Sequence, residues 1–477
     1  MAQSWWARMA SHAAGPQQLV GFYVLVGGLC MLAMCWLTPP FQVPDEPQHY
    51  YRSYQLSRLE IRPEVRNGQA GGALPDALPA LVEQHLGTLA NHQDGRKVPQ
   101  RSLHDTLRGL GTPTEPERQH FVEFSGSALY APSGYLPQAI GMAIGRALDF
   151  SPLGLLYAGR CANALAAIAL TAWALSMLSV GRRFALVVAL LPMTQFMTAS
   201  VSPDALTIAG GFLVAACVQR VLDEGRFSAW QRAVWLAGAV LLCAVKVVYF
   251  PILAVIVIGL YGRTQWADPQ RRRAVAQQAL GVVAALALVA FWFWWRSNEP
   301  VKGGGSPAGV DPTAQIAYLR EQLLMPVRVA LRSLVYHRDF LWESMIGRLG
   351  WLNVELPAAL LAMAAAALAL SLVETARRAR PGVGASATVV LLVGVSVVLI
   401  ELALYIAWTP ARAYFAVGVQ GRYFTPMLPL LGLALAWRTS ALATPAAERL
   451  AGVAIMLLLL LMSVGTLAAM VVAYGVF

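Results

Sequence analysis

Charged residues are scarce in this sequence of 477 residues: only 13% are charged, while 57% are hydrophobic. Soluble globular domains carry about 25% charged residues, so that class is excluded. The five cysteines all lie in apolar stretches, which argues against a disulfide framework or a cysteine metal cluster. The net charge of +11 comes from dispersed arginines without interleaved exposed aromatics, so no nucleic-acid partner is expected. Internal repeats, typical of many transporters, are not evident either.

Long apolar runs dominate the chain instead, and many approach the ~20 residues that a helix needs to cross a bilayer. These candidate spans cover residues 17–37, 152–180, 184–200, 204–221, 233–247, 250–262, 275–295, 353–374, 386–408, 423–437 and 450–474. The first run lacks a small-x-small cleavage site before Pro39, so we interpret it as a retained span and not a signal peptide. The sequence therefore predicts an all-α polytopic membrane protein, a single integral domain over 1–477 with about 11 transmembrane helices.

Basic residues are distributed unevenly between the short loops of the two membrane sides. The richer side carries Arg8, Arg182, Arg183, Arg220, Arg226, Arg232, Arg263, Arg271, Arg272, Arg273, Arg377, Arg378, Arg380, Arg438 and Arg449. The other side carries only Lys246, Arg412 and Arg422 in its short loops. The positive-inside rule makes the richer side, with the N-terminus, cytoplasmic. Two long segments, 38–151 and 296–352, then lie outside the cytoplasm, and the amphipathic stretch Leu323–Val335 is expected to be an interfacial helix.

Directly after the first span comes the turn Thr38-Pro-Pro-Phe-Gln-Val-Pro-Asp45-Glu46-Pro-Gln-His49-Tyr-Tyr-Arg52. Two interpretations of its adjacent carboxylates stay open. Asp45 as the N-cap of a helix, with Gln48 three residues later, makes a capping box. Alternatively, an ionised pair at the mouth of a membrane cavity costs free energy and indicates a function. That function could be to take a proton from an acceptor hydroxyl.

Three further charged or titratable positions allow a structural and a functional interpretation. His49, with Arg52, lies on roughly the same helix face as the carboxylates, as an interfacial residue or as a contact of a carboxylate or phosphate. Asp204 follows Ser202 and Pro203, and the three residues make a good helix start, which is the structural interpretation. In the functional interpretation Asp204 supplies a second acidic wall of the site. Lys246 ends a span as a snorkelling lysine or as the contact of a lipid phosphate.

The stretch Gly418-Val-Gln420-Gly421-Arg422-Tyr423-Phe424 precedes the tenth candidate span on the outer side. Glycines allow a close approach of the backbone. Arg422 offers a planar fork of donors that suits a phosphate. Because few basic residues occupy this side, we expect Arg422 to have a functional role.

These stretches together resemble the C-type (GT-C) glycosyltransferases and, more narrowly, a bacterial family of multi-spanning proteins of unassigned function. The matching pieces are spread over most of the chain. They are Pro39-Pro40…Pro44-Asp45-Glu46-Pro47…His49…Arg52, Tyr130-x-Pro132-x-x-Tyr135-Leu-Pro137, Leu191-Pro192-Met193…Pro203-Asp204-Ala205, Lys246-x-x-Tyr249, Gly350-Trp351 and Gln420-Gly421-Arg422-Tyr423-Phe424.

The resemblance implies an inverting glycosyltransferase of the bacterial inner membrane, with its active site on the periplasmic face. Such enzymes move a sugar from a polyprenyl-phosphate carrier to a glycan or lipid-linked acceptor. Asp45 would be the base with Glu46 beside it, and Arg422 and Lys246 would contact the phosphate. Other expected substrate contacts are His49, Arg52, Tyr135, Asp204 and Tyr423.

Two features of the implied activity stay open at the level of sequence. Some relatives hold a divalent metal on acidic residues of the first two outer loops, which here would be Asp45 or Glu46 with Asp204. The second outer loop lacks an Asp-x-Asp pair, so no cofactor is assigned. A flippase or transporter of a lipid-linked glycan is the alternative function, and a glycan polymerase or ligase is a closer one.

Overall fold

The computed structural model describes residues 16–86, 103–114, 117–224, 228–261, 269–296, 301, 309–322, 324–372, 383–439 and 445–475. Six of the arginines that support the predicted orientation lie outside these ranges: Arg8, Arg226, Arg263, Arg377, Arg378 and Arg380. Helix α1 runs without interruption through Pro16–Phe22, the π-helical turn Tyr23–Gly27 and Gly28–Leu37.

The other elements follow in chain order. They are α2 (Glu46–Ser57), β1 (Glu64–Arg66), β2 (Gln69–Pro75), α3 (Ala77–Leu86), α4 (Leu103–Leu107), β3 (Gln119–Glu123), α5 (Ser125–Ala128), α6 (Leu136–Ala147), α7 (Pro152–Met177), α8 (Arg182–Ala189), α9 (Pro192–Thr198), α10 (Asp204–Glu224), α11 (Ala229–Cys243), α12 (Phe250–Tyr261), α13 (Pro269–Trp295), α14 (Pro312–Glu321), α15 (Met325–Tyr336), α16 (Arg338–Ile346), β4 (Arg348–Leu349), β5 (Val354–Glu355), α17 (Ala358–Ser371), α18 (Val383–Ala407), α19 (Leu428–Thr439) and α20 (Pro445–Tyr474). Short 3₁₀ turns at Arg108–Gly111, Pro132–Tyr135, Val247–Tyr249 and Gly421–Met427 connect some of them.

Six helices of the described chain are long and apolar enough to cross a membrane: α1, α7, α10, α13, α18 and α20. They coincide with six of the predicted spans. Three more predicted spans, 233–247, 250–262 and 353–374, coincide with shorter apolar helices. The protein is therefore mostly helical and membrane-spanning in character, as the hydropathy of the sequence predicts.

The predicted span 184–200 is not one helix. It consists of α8 and α9, which are separated at Leu190 and Leu191. Pro192 explains the break, because proline disfavours a helical conformation in the residue before it and has no N–H to continue the helix. Every residue of α9 is buried, so this pair is part of the core.

The all-α prediction for segment 38–151 is wrong in one respect, since β1, β2 and β3 form an antiparallel sheet. The β1–β2 hairpin turns at Asn67 and Gly68, whose φ angles are 54° and 80°. This Asn-Gly pair is the strongest short-range sequence signal for a hairpin. β3 then leads into Ser125, whose hydroxyl accepts a hydrogen bond of 2.9 Å from the Ala70 amide, so the sheet positions the segment that follows it. The pair β4–β5 is a second, minimal sheet.

Helix α10 is the centre of the bundle, since 94% of its most apolar 18-residue stretch is buried. Two adjacent glycines bring its neighbours close. A Cβ on Gly210 would lie 2.8 Å from the Gly238 carbonyl oxygen of α11, and one on Gly211 would lie 2.1 Å from the carbonyl oxygen of Pro426. Small residues permit such backbone contacts between membrane helices. The N-terminus of α10 and the Gly421–Met427 turn are thereby held together.

Two helices of the long segments show an exposed apolar face. On α6 the row is Leu136, Ile140, Ile144 and the following Leu148, each at least 55% exposed. On α15 it includes Leu331 and Val335, while Val329 and Ala330 are buried. Both helices are therefore amphipathic, and the interfacial location expected for the stretch Leu323–Val335 stays a prediction.

Candidate functional site

Asp45 does not cap α2, so the capping-box interpretation is wrong. Its φ of 62° is left-handed, and its side chain makes no capping hydrogen bond. Aspartate and asparagine tolerate this conformation better than most residues. The carboxylate is instead 59% exposed. Gln48, its expected capping partner, packs over Gly126.

Glu46 points away from Asp45 into the protein core. Both of its oxygens bind the guanidinium of Arg160, with Nε–Oε1 and Nη2–Oε2 distances of 2.9 and 2.6 Å. The remaining Arg160 hydrogens go to the backbone carbonyls of Cys35, Thr38 and Pro39, at 3.0, 2.6 and 3.1 Å. Both side chains are fully buried. This bidentate pair fastens the turn after α1 to the first half of α7.

A cavity of about 300 Å³ opens beside Asp45. Residues from distant parts of the chain line it, near the end of α1, the start of α10, the ends of α11 and α18 and the start of α19. The lining residues are Asp45, Gln48, His49, Gly126, Tyr130, Ser202, Asp204, Lys246, Leu404, Trp408, Gly418, Gln420, Arg422 and Tyr423. Six of the nine predicted site residues are among them.

Two ion pairs occupy the cavity wall. Arg422 lies 3.5 Å from the carboxylate of Asp45, and Lys246 donates a 2.7 Å hydrogen bond to Asp204. The Lys246 ammonium also lies 4.3 Å from the centre of the Tyr423 ring, a cation–π distance. Tyr249 holds the Tyr423 backbone by a 2.8 Å hydrogen bond to its carbonyl. With the Lys246-x-x-Tyr249 spacing, Lys246 contacts the Asp204 carboxylate and the Tyr423 ring, while Tyr249 holds the Tyr423 backbone.

Arg422 is buried apart from its face to the cavity, with a side-chain exposure of 3%. Its position depends on Gly421, because a Cβ there would lie 1.9 Å from the Leu341 carbonyl oxygen. The Gly421 amide also donates a 2.9 Å hydrogen bond to Ser344. Within the described chain the Arg422 Nε has no hydrogen-bond partner. A buried guanidinium with a donor that has no partner is suited to bind an anion.

His49 is held by Tyr135, whose hydroxyl lies 2.8 Å from the Nδ1 atom. Burial lowers the pKa of His49 to about 4, although the carboxylates of Asp45 and Asp204 partly oppose this. The imidazole is therefore neutral at physiological pH. It adds a hydrogen-bonding group to the cavity and no charge.

Three predicted site residues lie outside the cavity: Glu46, Arg52 and Tyr135. Arg52 is fully buried and donates to the Ile61 carbonyl at 2.9 Å and to Gln55, so it fixes the chain after α2. Tyr135 contributes through His49. Sequence reasoning did not predict the other eight lining residues, which are Gln48, Gly126, Tyr130, Ser202, Leu404, Trp408, Gly418 and Gln420. All of these except Gly126, Leu404 and Trp408 lie inside the stretches that carried the prediction.

The acidic residues do not fit a divalent metal site. Glu46 has both oxygens on Arg160, while Asp45 and Asp204 each face a cation. Among the described residues no group of three or more His, Cys, Asp and Glu could hold a metal ion. We therefore derive no step through a metal.

A charged cavity near the ends of largely apolar helices defines a membrane protein with several candidate spans and a polar cavity. The chain belongs to the family described as "Predicted membrane protein (DUF2142)", whose model matches residues 29–431. That range includes every residue of the cavity. No curated protein and no solved structure matches the chain significantly.

Proposed function

We propose that the protein is an inverting membrane glycosyltransferase that moves a sugar from a polyprenyl-phosphate carrier to a glycan or lipid-linked acceptor. The observation that carries the proposal is the cavity itself, in which an exposed carboxylate lies 3.5 Å from a buried guanidinium. Sugar transfer from a phosphate needs a base for the acceptor hydroxyl and positive charge for the leaving phosphate. Asp45 and Arg422 supply these two functions in adjacent positions.

In this mechanism the donor phosphate binds Arg422 and Lys246, and Asp45 takes the proton of the acceptor hydroxyl. The hydroxyl oxygen attacks the anomeric carbon, and the bond from that carbon to the phosphate oxygen breaks. The phosphate leaves with the electron pair. A low-dielectric surrounding strengthens its attraction to the buried Arg422.

We propose that the protein crosses the bacterial inner membrane with eleven spans, with its N-terminus in the cytoplasm and the cavity on the periplasmic side. Support comes from the cavity, which gathers the ends of α1, α11 and α18 with the start of α10. Arg220 lies near the opposite end of α10, and Arg182 begins α8, five residues after α7 ends. A reporter fused after Arg273 is expected to be cytoplasmic and one inserted at Thr112 periplasmic. The reverse pattern would contradict the proposed orientation.

The test of function is sugar transfer by purified protein from a synthetic polyprenyl-phosphate sugar, with Asp45→Asn as the matched variant. Asparagine keeps the size and tolerates the left-handed φ of 62°, so folding should be unchanged. We expect the transfer rate to fall by roughly 10²- to 10⁴-fold. Transfer at the wild-type rate by folded Asp45→Asn would remove Asp45 from the role of base.

The alternatives give different outcomes in the same preparation. A flippase in vesicles would move the lipid-linked donor between leaflets without cleaving it, and a polymerase or ligase would use preassembled glycan chains. A cavity of about 300 Å³ lies at the lower end of the ~300–1,000 Å³ range of small-molecule sites. This favours one sugar unit over an oligosaccharide as the bound group.

A further inference from the structure

The formal charges of the cavity cancel in pairs. Among the described residues that line it, Asp45 faces Arg422 and Asp204 faces Lys246 at 2.7 Å. His49 is neutral, as its lowered pKa indicates. Donor phosphate binding already engages both cations in the mechanism above. A further negative charge on the bound sugar would therefore find no counter-ion among the lining residues, whereas the carboxylates of Asp45 and Asp204 remain.

The rest of the wall is polar but uncharged. The side chains of Gln48, Gln420, Tyr130 and Ser202 face the same space. Within the described chain the buried Oε1 atom of Gln420 has no hydrogen-bond partner. An amide offers both donors and an acceptor, and a sugar hydroxyl does the same, so the two groups match. Gln420 is also only two residues from Arg422, which places it beside the proposed phosphate site.

Trp408 adds an aromatic surface at the cavity. It is 38% exposed although its backbone is fixed. Its amide donates to the Leu404 carbonyl at 2.9 Å. Gly418, with φ of 85°, lies so close that a Cβ there would be 2.6 Å from Cδ1 of the indole.

The adjacent Thr409 closes the same loop, because its hydroxyl accepts a 2.9 Å hydrogen bond from the Val417 amide. The indole is thus held in place while part of it stays open. The C–H face of a sugar ring is apolar and can pack against such a surface.

We infer that the cavity selects a sugar without a negative charge, whose ring packs on Trp408 and whose hydroxyls bind Gln420 and Gln48. This inference rests on the proposed function for its phosphate-linked donor. A uronate would bring an unpaired carboxylate into the site, beside the carboxylates of Asp45 and Asp204. Burying that charge without a partner is costly.

The experiment compares three lipids that share one short polyprenyl chain: the phosphate carrying glucose, the phosphate carrying glucuronate, and the sugar-free phosphate. Binding to the purified protein and sugar transfer are measured separately. We expect the glucosyl lipid to bind about tenfold or more tightly than the glucuronosyl lipid, in line with an unpaired buried charge. Equal or tighter binding of the glucuronosyl lipid would overturn the inference, as would no binding of either sugar lipid.

Transfer decides the proposed function independently. If the glucosyl lipid binds selectively but no acceptor receives sugar, the proposed function is wrong and the selectivity stands. If transfer occurs with both sugar lipids equally, the glycosyltransferase stands and the inference is wrong.

Two variants separate sugar contact from structure. Trp408→Ala should lose about tenfold or more of glucosyl-lipid affinity, while sugar-free phosphate binding stays unchanged and reports an intact Arg422 site. Trp408→Phe keeps a flat ring and should retain most of the affinity. If Trp408→Ala weakens both lipids to the same extent, the indole is only an interfacial anchor, as aromatic residues at span ends commonly are.

Discussion

The buried pair of Glu46 and Arg160 gives the sharpest test of which carboxylate acts in the reaction. In Glu46→Gln the guanidinium keeps its three backbone carbonyl acceptors but loses the only carboxylate shown to bind it within the described chain. Both partners have 0% side-chain exposure, so solvent cannot compensate for the lost charge. Removing one partner of a buried pair costs about 3–5 kcal/mol. We expect that loss in the free energy of unfolding.

The measurement is an SDS titration of the purified protein in mixed micelles, with Asp45→Asn as the matched control. Asp45 is 59% exposed, and its loss should cost at most about 1 kcal/mol. A double variant, Glu46→Leu with Arg160→Met, removes both charges and should recover much of the stability, because the isolated buried charge is the source of the cost.

The two carboxylates should therefore separate cleanly in stability and activity. Glu46→Gln is expected to be unstable, and Asp45→Asn stable but inactive. A Glu46→Gln protein that is as stable as the wild type but inactive in transfer would refute the assignment of Glu46 to structure and return it to the chemistry.

Three more predictions follow from the cavity. Asp45→Asn should bind sugar-free polyprenyl phosphate up to about fivefold more tightly in a lipid titration, because the solvent-exposed carboxylate, whose ion pair contributes up to ~1 kcal/mol, no longer competes for Arg422; weaker binding would contradict that contact. Gly421→Ala should lose this binding, since its Cβ would lie 1.9 Å from a carbonyl oxygen, whereas Gly394→Ala, with nothing within 4 Å, should behave as wild type. His49 has a folded-state pKa of about 4 against the ordinary 6.5. As the pH falls, the unfolded chain therefore takes up a proton at this histidine before the folded chain does. Thermal stability should be full above pH 6.5 and fall as pH drops toward 4, more steeply than in His49→Gln; parallel profiles would contradict the neutral histidine.

The sequence predicted much of the cavity because its residues lie in short polar stretches at the ends of apolar runs. Asp45, Asp204, Lys246 and Arg422 could be found in this way, although nothing local indicates which carboxylate pairs with which cation. Those pairings depend on contacts such as the one between Gly211 and Pro426, which are set by helix packing.

Glu46 shows where local reasoning fails. It is adjacent to Asp45, yet its partner Arg160 is 114 residues away inside an apolar run. The small sheet was missed for another reason: β2, with the sequence QAGGALP, has few of the residues that favour strands. The Asn67-Gly68 turn was the available signal. The break in the predicted span 184–200 could likewise be predicted from Pro192.

Arg160 also constrains how the chain is assembled in the membrane. It lies eight residues into α7, about 12 Å along the helix, and an unpaired arginine opposes insertion by up to roughly 2.5–3.5 kcal/mol, the cost at a helix centre. Synthesis delivers α1 and Glu46 first, and the carbonyls of Cys35, Thr38 and Pro39 come with them. The partners of Arg160 in α1 and its turn are thus already synthesised when α7 inserts. The order of elements in the chain is then part of what makes the fold attainable.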